Sequence, residues 1–182
     1  MSTEKEHHGL RHVLDKMQDM AGAMVGKASA AMGGGMTQPF VKNAMLSDLY
    51  AVRAGEIALE RAKSRGVLAI ADKVIADHTM STQLLFAALG RSEWDGEQDV
   101  TPLDELDARR QGLIDHLQAA PEADFEKMYL EQQAAAHDEA RTLVSRYMSE
   151  GDDPNLRSYA NSVLPGLEAH ARAIAGVREA SL

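Results

Sequence analysis

Apolar residues recur three and four apart through most of this chain, and nowhere does a strand-like alternation persist. The first such stripe, Leu10, Val13, Leu14, Met17, Met20, Ala21, Met24, Val25 and Ala28, predicts a short amphipathic helix rich in methionine. The flexible run Met32-Gly33-Gly34-Gly35-Met36 follows it, so residues 1–36 and 37–182 read as two units. Thr37 as an N-cap and Pro39 in the first turn open a long helix reaching about Lys63, with the seam Met45, Leu49, Val52 and Leu59. A turn at Ser64-Arg65-Gly66 leads to a second helix, with the seam Ala71, Val74, Ser81 and Leu85, ending near Gly90. Residues 91–121 form a long connection around Trp94, containing a short helix opened by Thr101-Pro102 and patterned by Leu103, Leu106, Leu113, Ile114 and Leu117. Pro121 introduces a third long helix, with Phe125, Leu130, Ala140, Val144 and Tyr147, which stops at Gly151. Asp153-Pro154 begins a fourth, along which Leu156, Val163, Leu167, Ile174 and Val177 repeat. Four long helices with two short turns and one long middle connection predict an all-α, ferritin-like four-helix bundle. Its second and third helices are joined by a helical crossover, and the extra amphipathic helix precedes it.

Polar residues on the apolar seams carry the chemistry. Continuing the first ladder, Met45, Leu49, Val52, Glu56, Leu59, points Glu56 at the core. Ala71, Val74, His78, Ser81 and Leu85 do the same for His78, and Leu130, Gln133, His137, Ala140 and Val144 for His137. Leu156, Val163, His170 and Val177 are seven apart, which turns His170 inward. Each long helix thus offers one ionisable group. With a rise of about 1.5 Å per residue, Glu56 and His78 lie about 14 and 20 Å from the first turn, and His137 and His170 about 22 and 27 Å from the second. Turns at opposite ends of a rod about 40 Å long bring all four to mid-height, so the crossover topology and a single cluster support one another.

Three imidazoles and one carboxylate suit a single divalent metal ion, with zinc or iron favoured. A hydrogen-bonded polar core is the competing reading, because a lone seam histidine is usually structural. The di-iron carboxylate pattern is disfavoured: no carboxylate stands three residues before His78 or His137, and Glu168 is two before His170. Gln133, one turn before His137, and Tyr129, two turns before it, are candidates to line the same pocket. Asp77 points about 100° away from its neighbour His78, which suits orienting a neighbour rather than binding metal. Pro165-Gly166 predicts a kink one turn before His170.

Composition narrows the chemistry further. The 182 residues include no cysteine, which removes disulfides, zinc ribbons, iron–sulfur clusters and thiol catalysis. A net charge of −9 offers no field for nucleic acid. No signal-like or membrane-spanning apolar stretch occurs, so a cytoplasmic protein is expected. No phosphate loop or nucleophile elbow is present either. Six of the ten methionines, with His7, His8 and His12, fall in residues 1–36. Copper binds thioether and imidazole, yet Met17, Met20 and Met24 share a face with Leu10, Val13 and Leu14, so docking is the better reading. Homo-oligomerisation through this helix is the expectation.

Gly55-Glu56-Ile57, Ala76-Asp77-His78, Asp124-Phe125 followed by Tyr129, Gln133 and His137, and Leu164-Pro165 followed by His170 form an ordered set over about residues 39–178. That set resembles the bacterial domain of unknown function 4142 family. The resemblance implies a ferritin-like four-helix fold and no defined activity. Many members are exported, which the Met-rich segment at the start of this chain does not match. Two functions therefore compete: a metal-binding protein with a metal-handling or stress-related role, and a metal-free interaction protein whose polar core fixes helix register. An iron-dependent redox or peroxide activity ranks below both.

Overall fold

The structure is a computed structural model, and it describes residues 37–93 and 101–180. The segment 1–36 with its Met-rich stripe, and Trp94, lie outside the described residues. Five helices make up the rest: α1 Thr37–Arg61, α2 Arg65–Leu89, α3 Ala108–Ala119, α4 Phe125–Glu150 and α5 Pro154–Ala180. The described residues contain no strand, and none of their helices is long and apolar enough to cross a membrane.

Local chemistry sets the helix ends. Ser64 accepts the Val67 amide at the start of α2, and Asp153 Oδ1 accepts the Leu156 amide (2.9 Å) in the first turn of α5. Gly151 closes α4 because the Tyr147 ring lies where a Cβ would stand, 2.5 Å away. Two starts differ from the sequence expectation. The crossover helix begins at Ala108 rather than Thr101, because Asp107 is the residue that caps it, accepting the Arg110 amide at 2.8 Å. The third long helix begins at Phe125, since Pro121 opens a preceding turn closed by Asp124 N–H to Pro121 O. Helix α5 runs unbroken through Pro165.

Helices α1 and α5 each pack against both α2 and α4, closing a ring, and α3 lies across α1 and α4. The turn between α1 and α2 sits at the start of α4, where Glu126 accepts the Lys63 and Ser64 amides at 2.6 and 2.7 Å. Burial pushes the Glu126 carboxyl up, but these amides outweigh it and hold the group below the usual carboxylate range. Arg61 fixes the same end, donating to the carbonyls of Leu117, Gln118 and Ala120 that terminate α3, with its guanidinium 4.3 Å from the Phe125 ring centre. At the opposite end, the α4–α5 turn meets the start of α1 through Thr37 with Tyr147 and Asp152. It meets the end of α2 through Ser92 with Asp153 and Asn155 with the Arg91 carbonyl. The end of α2 and the start of α4 therefore lie at opposite ends of the bundle of long helices.

The interior divides into three layers. One apolar cluster gathers Ala51, Ala54, Val67, Val74, Phe125, Leu130 and Ile174 near the α1–α2 turn. Another gathers Phe40, Val41, Ala44, Leu85, Val144, Tyr147 and Leu156 near the α4–α5 turn. Between them lies a belt of buried polar side chains contributed by the middles of all four long helices.

Candidate metal centre

His78, His137 and His170 meet in that belt, all three buried. His78 Nε2 lies 3.3 Å from His137 Nε2, which lies 3.2 Å from His170 Nδ1, and all three atoms fall within 4.8 Å of one another. The rings are set edge to face about His137, with interplanar angles of 83° and 82° to its neighbours.

The other nitrogen of each ring faces an acceptor. His78 Nδ1 is 2.7 Å from Asp48 Oδ1, His137 Nδ1 is 2.8 Å from the Gln133 carbonyl oxygen, and His170 Nε2 is 2.8 Å from Asp77 Oδ2. A neutral imidazole carries one N–H and one lone pair, so the acceptors place the proton on the outward nitrogen of each ring. The inward nitrogens are then three lone pairs directed into one space. Asp48 is itself steadied by Thr82 Oγ1, which donates to its second oxygen at 3.2 Å.

Protons are poor occupants of that space. Burial, and then the neighbouring His78, push the His137 pKa down to about 3. Burial and His78 also lower His170, against the attraction of the Asp77 carboxylate. Burial raises the Asp77 pKa, but hydrogen bonds from Lys73 and His170 outweigh it, and the group stays ionised below its usual range. A metal ion at 2.0–2.1 Å from imidazole nitrogens in tetrahedral geometry separates them by about 3.3–3.4 Å. The two shortest separations here match that spacing.

The structure brings together three of the four residues expected from the sequence and does not bring the fourth. Glu56 is exposed, and the acidic group in the belt is Asp48, 5% exposed. The seam of α1 is Val41, Ala44, Asp48, Ala51, Gly55 and Ala58, all buried, one residue away from the ladder of larger side chains. Close approach of α1 to α2 explains it: a Cβ on Gly55 would stand 2.7 Å from Ile75 Cγ1, so small residues mark this interface. Leu49 and Val52 are only partly buried and Leu59 is exposed. Asp48 was legible as the one acidic member of the Ala/Gly ladder. Gln133 and Tyr129 are fully buried on the His137 face of α4, and neither the Gln133 amide group nor the Tyr129 hydroxyl has a hydrogen-bond partner. Asp77 stands behind His170 rather than His78.

The family model described as a domain of unknown function (DUF4142) matches residues 22–176. No curated protein matches the chain. A crystal structure of a DUF305 fragment from Deinococcus radiodurans is similar, with a TM-score of 0.62 at 18% identity over 76% of this chain and 91% of that one. A structure of CopM in the Cu(II)-bound form is similar with a TM-score of 0.64 at 14% identity, over 81% of this chain and 98% of that one. At such identities the likeness is one of fold.

Proposed function

The chain belongs to the domain of unknown function 4142 family, and we propose that it is a metal-handling helical protein holding one divalent first-row ion on His78, His137 and His170. One observation carries this reading: three buried imidazoles direct lone pairs at a common space while an acceptor holds the outer nitrogen of each. Lone pairs crowded at 3.2–3.3 Å repel unless a cation lies among them. Carboxylate or carbonyl acceptors behind ligating histidines fix the tautomer and raise ligand basicity. The chain supplies these as Asp48, the Gln133 carbonyl and Asp77.

An all-nitrogen donor set of this kind suits Cu(II) and Zn(II) above Fe(II), by the general order of first-row affinities. CopM, of the same fold, is a Cu(II)-bound protein, which supports testing copper first. Three protein ligands leave a position for water, and we assign the partnerless Gln133 amide to holding that water, with the Tyr129 hydroxyl one turn beyond it. The ring of helix contacts and the placement of the two turns at opposite ends support a ferritin-like arrangement of the four long helices. The Met-rich segment before residue 37 is assigned to self-association, so its removal should lower the sedimenting mass, and an unchanged mass would refute that role.

Elemental analysis after reconstitution with Cu(II) or Zn(II) tests the centre. One ion per chain is expected, lost in His137→Ala. Absence of a stoichiometric ion from the reconstituted protein would leave the belt as a register-fixing polar core instead.

A further inference from the structure

The three acceptors behind the histidines differ in their access to solvent. Asp48 and Gln133 are sealed in the interior, whereas the Asp77 side chain is 36% exposed. On that side a groove of about 160 Å³ runs between α2 and α5, with His78 and His170 in its wall beside Asp77. His137 does not line it. Its rim carries Met80, 53% exposed, and Leu84, 40% exposed, two of the three large hydrophobic side chains left open to solvent among the described residues. On the α5 side the wall includes Gly166, where an added Cβ would meet no atom within 4 Å.

We propose that this groove is the route by which the metal cation enters and leaves the histidine centre, with Met80 and Leu84 narrowing its mouth. The inference rests on the metal reading above and deepens it. A chain of net charge −9 draws cations over its whole surface. At the solvent end of the path the Asp77 carboxylate is shared between His170 and the Lys73 ammonium, each at 2.8 Å, so the route rests on the opening itself rather than on a free carboxylate. Behind His78 and His137, by contrast, stand the buried Asp48 carboxylate and the carbonyl of the buried Gln133. Gly166 keeps the groove open because it has no side chain to fill it.

A plug raises the barrier to entry and exit equally and leaves the end states alone. Loading of the apo full-length chain with Co(II), followed by absorbance, and its removal by EDTA should therefore both slow by about ten-fold or more in Gly166→Leu, with affinity kept within about two-fold. Gly112→Leu, at an equally open position on α3, should leave both rates unchanged. Met80→Ala widens the mouth and should speed both by about two- to three-fold; it decides the matter if Gly166→Leu fails to fold. Unchanged rates in the Gly166 variant, equal slowing in the Gly112 variant, or a folded Met80 variant no faster than the parent would each overturn the route. Failure of the parent chain to bind Co(II), Cu(II) or Zn(II) would overturn the metal centre itself.

Discussion

Two buried polar clusters lie within a few turns of each other on α4, and they are built on opposite principles. On one side Glu139 receives Arg109 at 2.7 Å and Arg110 at 2.9 Å, while Arg110 also pairs with Asp107 at the start of α3. Arg110 is 5% exposed and Glu139 8%. Two guanidinium groups meet two carboxylates, so charge is cancelled within the cluster and each guanidinium has a carboxylate acceptor. On the other side, His78, His137 and His170 are satisfied only outward. Their inner nitrogens face one another at 3.3 and 3.2 Å, and with the outward nitrogens protonated toward their acceptors none of the three brings a hydrogen to the space between them. Burial alone therefore does not mark a functional site. The first cluster is complete without anything added and ties the crossover helix to the bundle. The second leaves a space that, on the proposed reading, a cation fills.

The contrast can be broken from either side, and the largest effect is expected in the ion-pair cluster. Glu139→Ala leaves Arg110 buried with half its partners gone, which should cost about 3–5 kcal/mol in urea unfolding. Metal stoichiometry should nevertheless stay at one per chain, because Glu139 points away from the histidines. Loss of metal in a still-folded Glu139 variant would show that the two clusters are one unit. His137→Ala should do the reverse. At a thousand-fold excess over Kd, a bound ion stabilises the parent by about 4 kcal/mol, and that metal-dependent rise in Tm should vanish in the variant. A persistent rise would place the ion elsewhere. Asp48→Asn keeps the shape of the acceptor but weakens its hold on the His78 N–H. Metal affinity should fall about 10- to 100-fold in competition titrations, and an unchanged affinity would remove Asp48 from the centre.

Much of this centre was legible in the sequence because on α2, α4 and α5 the inward stripe is built of residues whose burial is unambiguous. Val74 and Leu85 bracket His78, Leu130 and Val144 bracket His137, and Leu167 and Ile174 bracket His170. The all-helical character was legible from the three- and four-residue spacing, and the length of the connection before α4 is what suggested a crossover. What misled was size. On α1 the helices approach so closely that Ala44, Ala51, Gly55 and Ala58 form the contact, while Leu49, Val52 and Leu59 cover its outer flank. Counting large apolar residues rotates that helix by one position, about 100°, and exchanges Asp48 for Glu56. The acceptors of α3 and the Arg61 clamp on its last carbonyls depend on side chains reaching across the fold, which periodicity does not encode.

Acid should separate the clusters more gently. Both His137 and His170 have folded pKa values below the ordinary 6.5, His137 at about 3. Below pH 6.5 the unfolded chain therefore binds protons that the folded apo chain refuses. Its stability should fall as pH drops from 6.5 toward 3, by up to about 1.4 kcal/mol per unit for each histidine so held. Urea midpoints of the apo chain at pH 7, 6 and 5 test this, and a flat profile would mean that the inner nitrogens already share a proton. His137→Ala should flatten the profile in part.

The smallest expected effect is the one that decides between two readings of α1. Glu56 is exposed on the outer face of that helix, and Asp48 lies two turns earlier in the polar belt. Glu56→Gln removes a charge without touching the seam, so stability should change by less than about 0.5 kcal/mol. Metal affinity should remain at the parent value, beside the one- to two-decade loss in Asp48→Asn. A large loss in the Glu56 variant would require α1 to turn by one residue in the metal-bound protein. That would drive the Gly55 position away from Ile75 and force Val52 and Leu59 into a contact now only wide enough for alanine and glycine. The tight fit at Gly55, where an added Cβ would stand 2.7 Å from Ile75 Cγ1, therefore carries the Glu56 prediction: the helix does not rotate toward the histidines without first separating from α2.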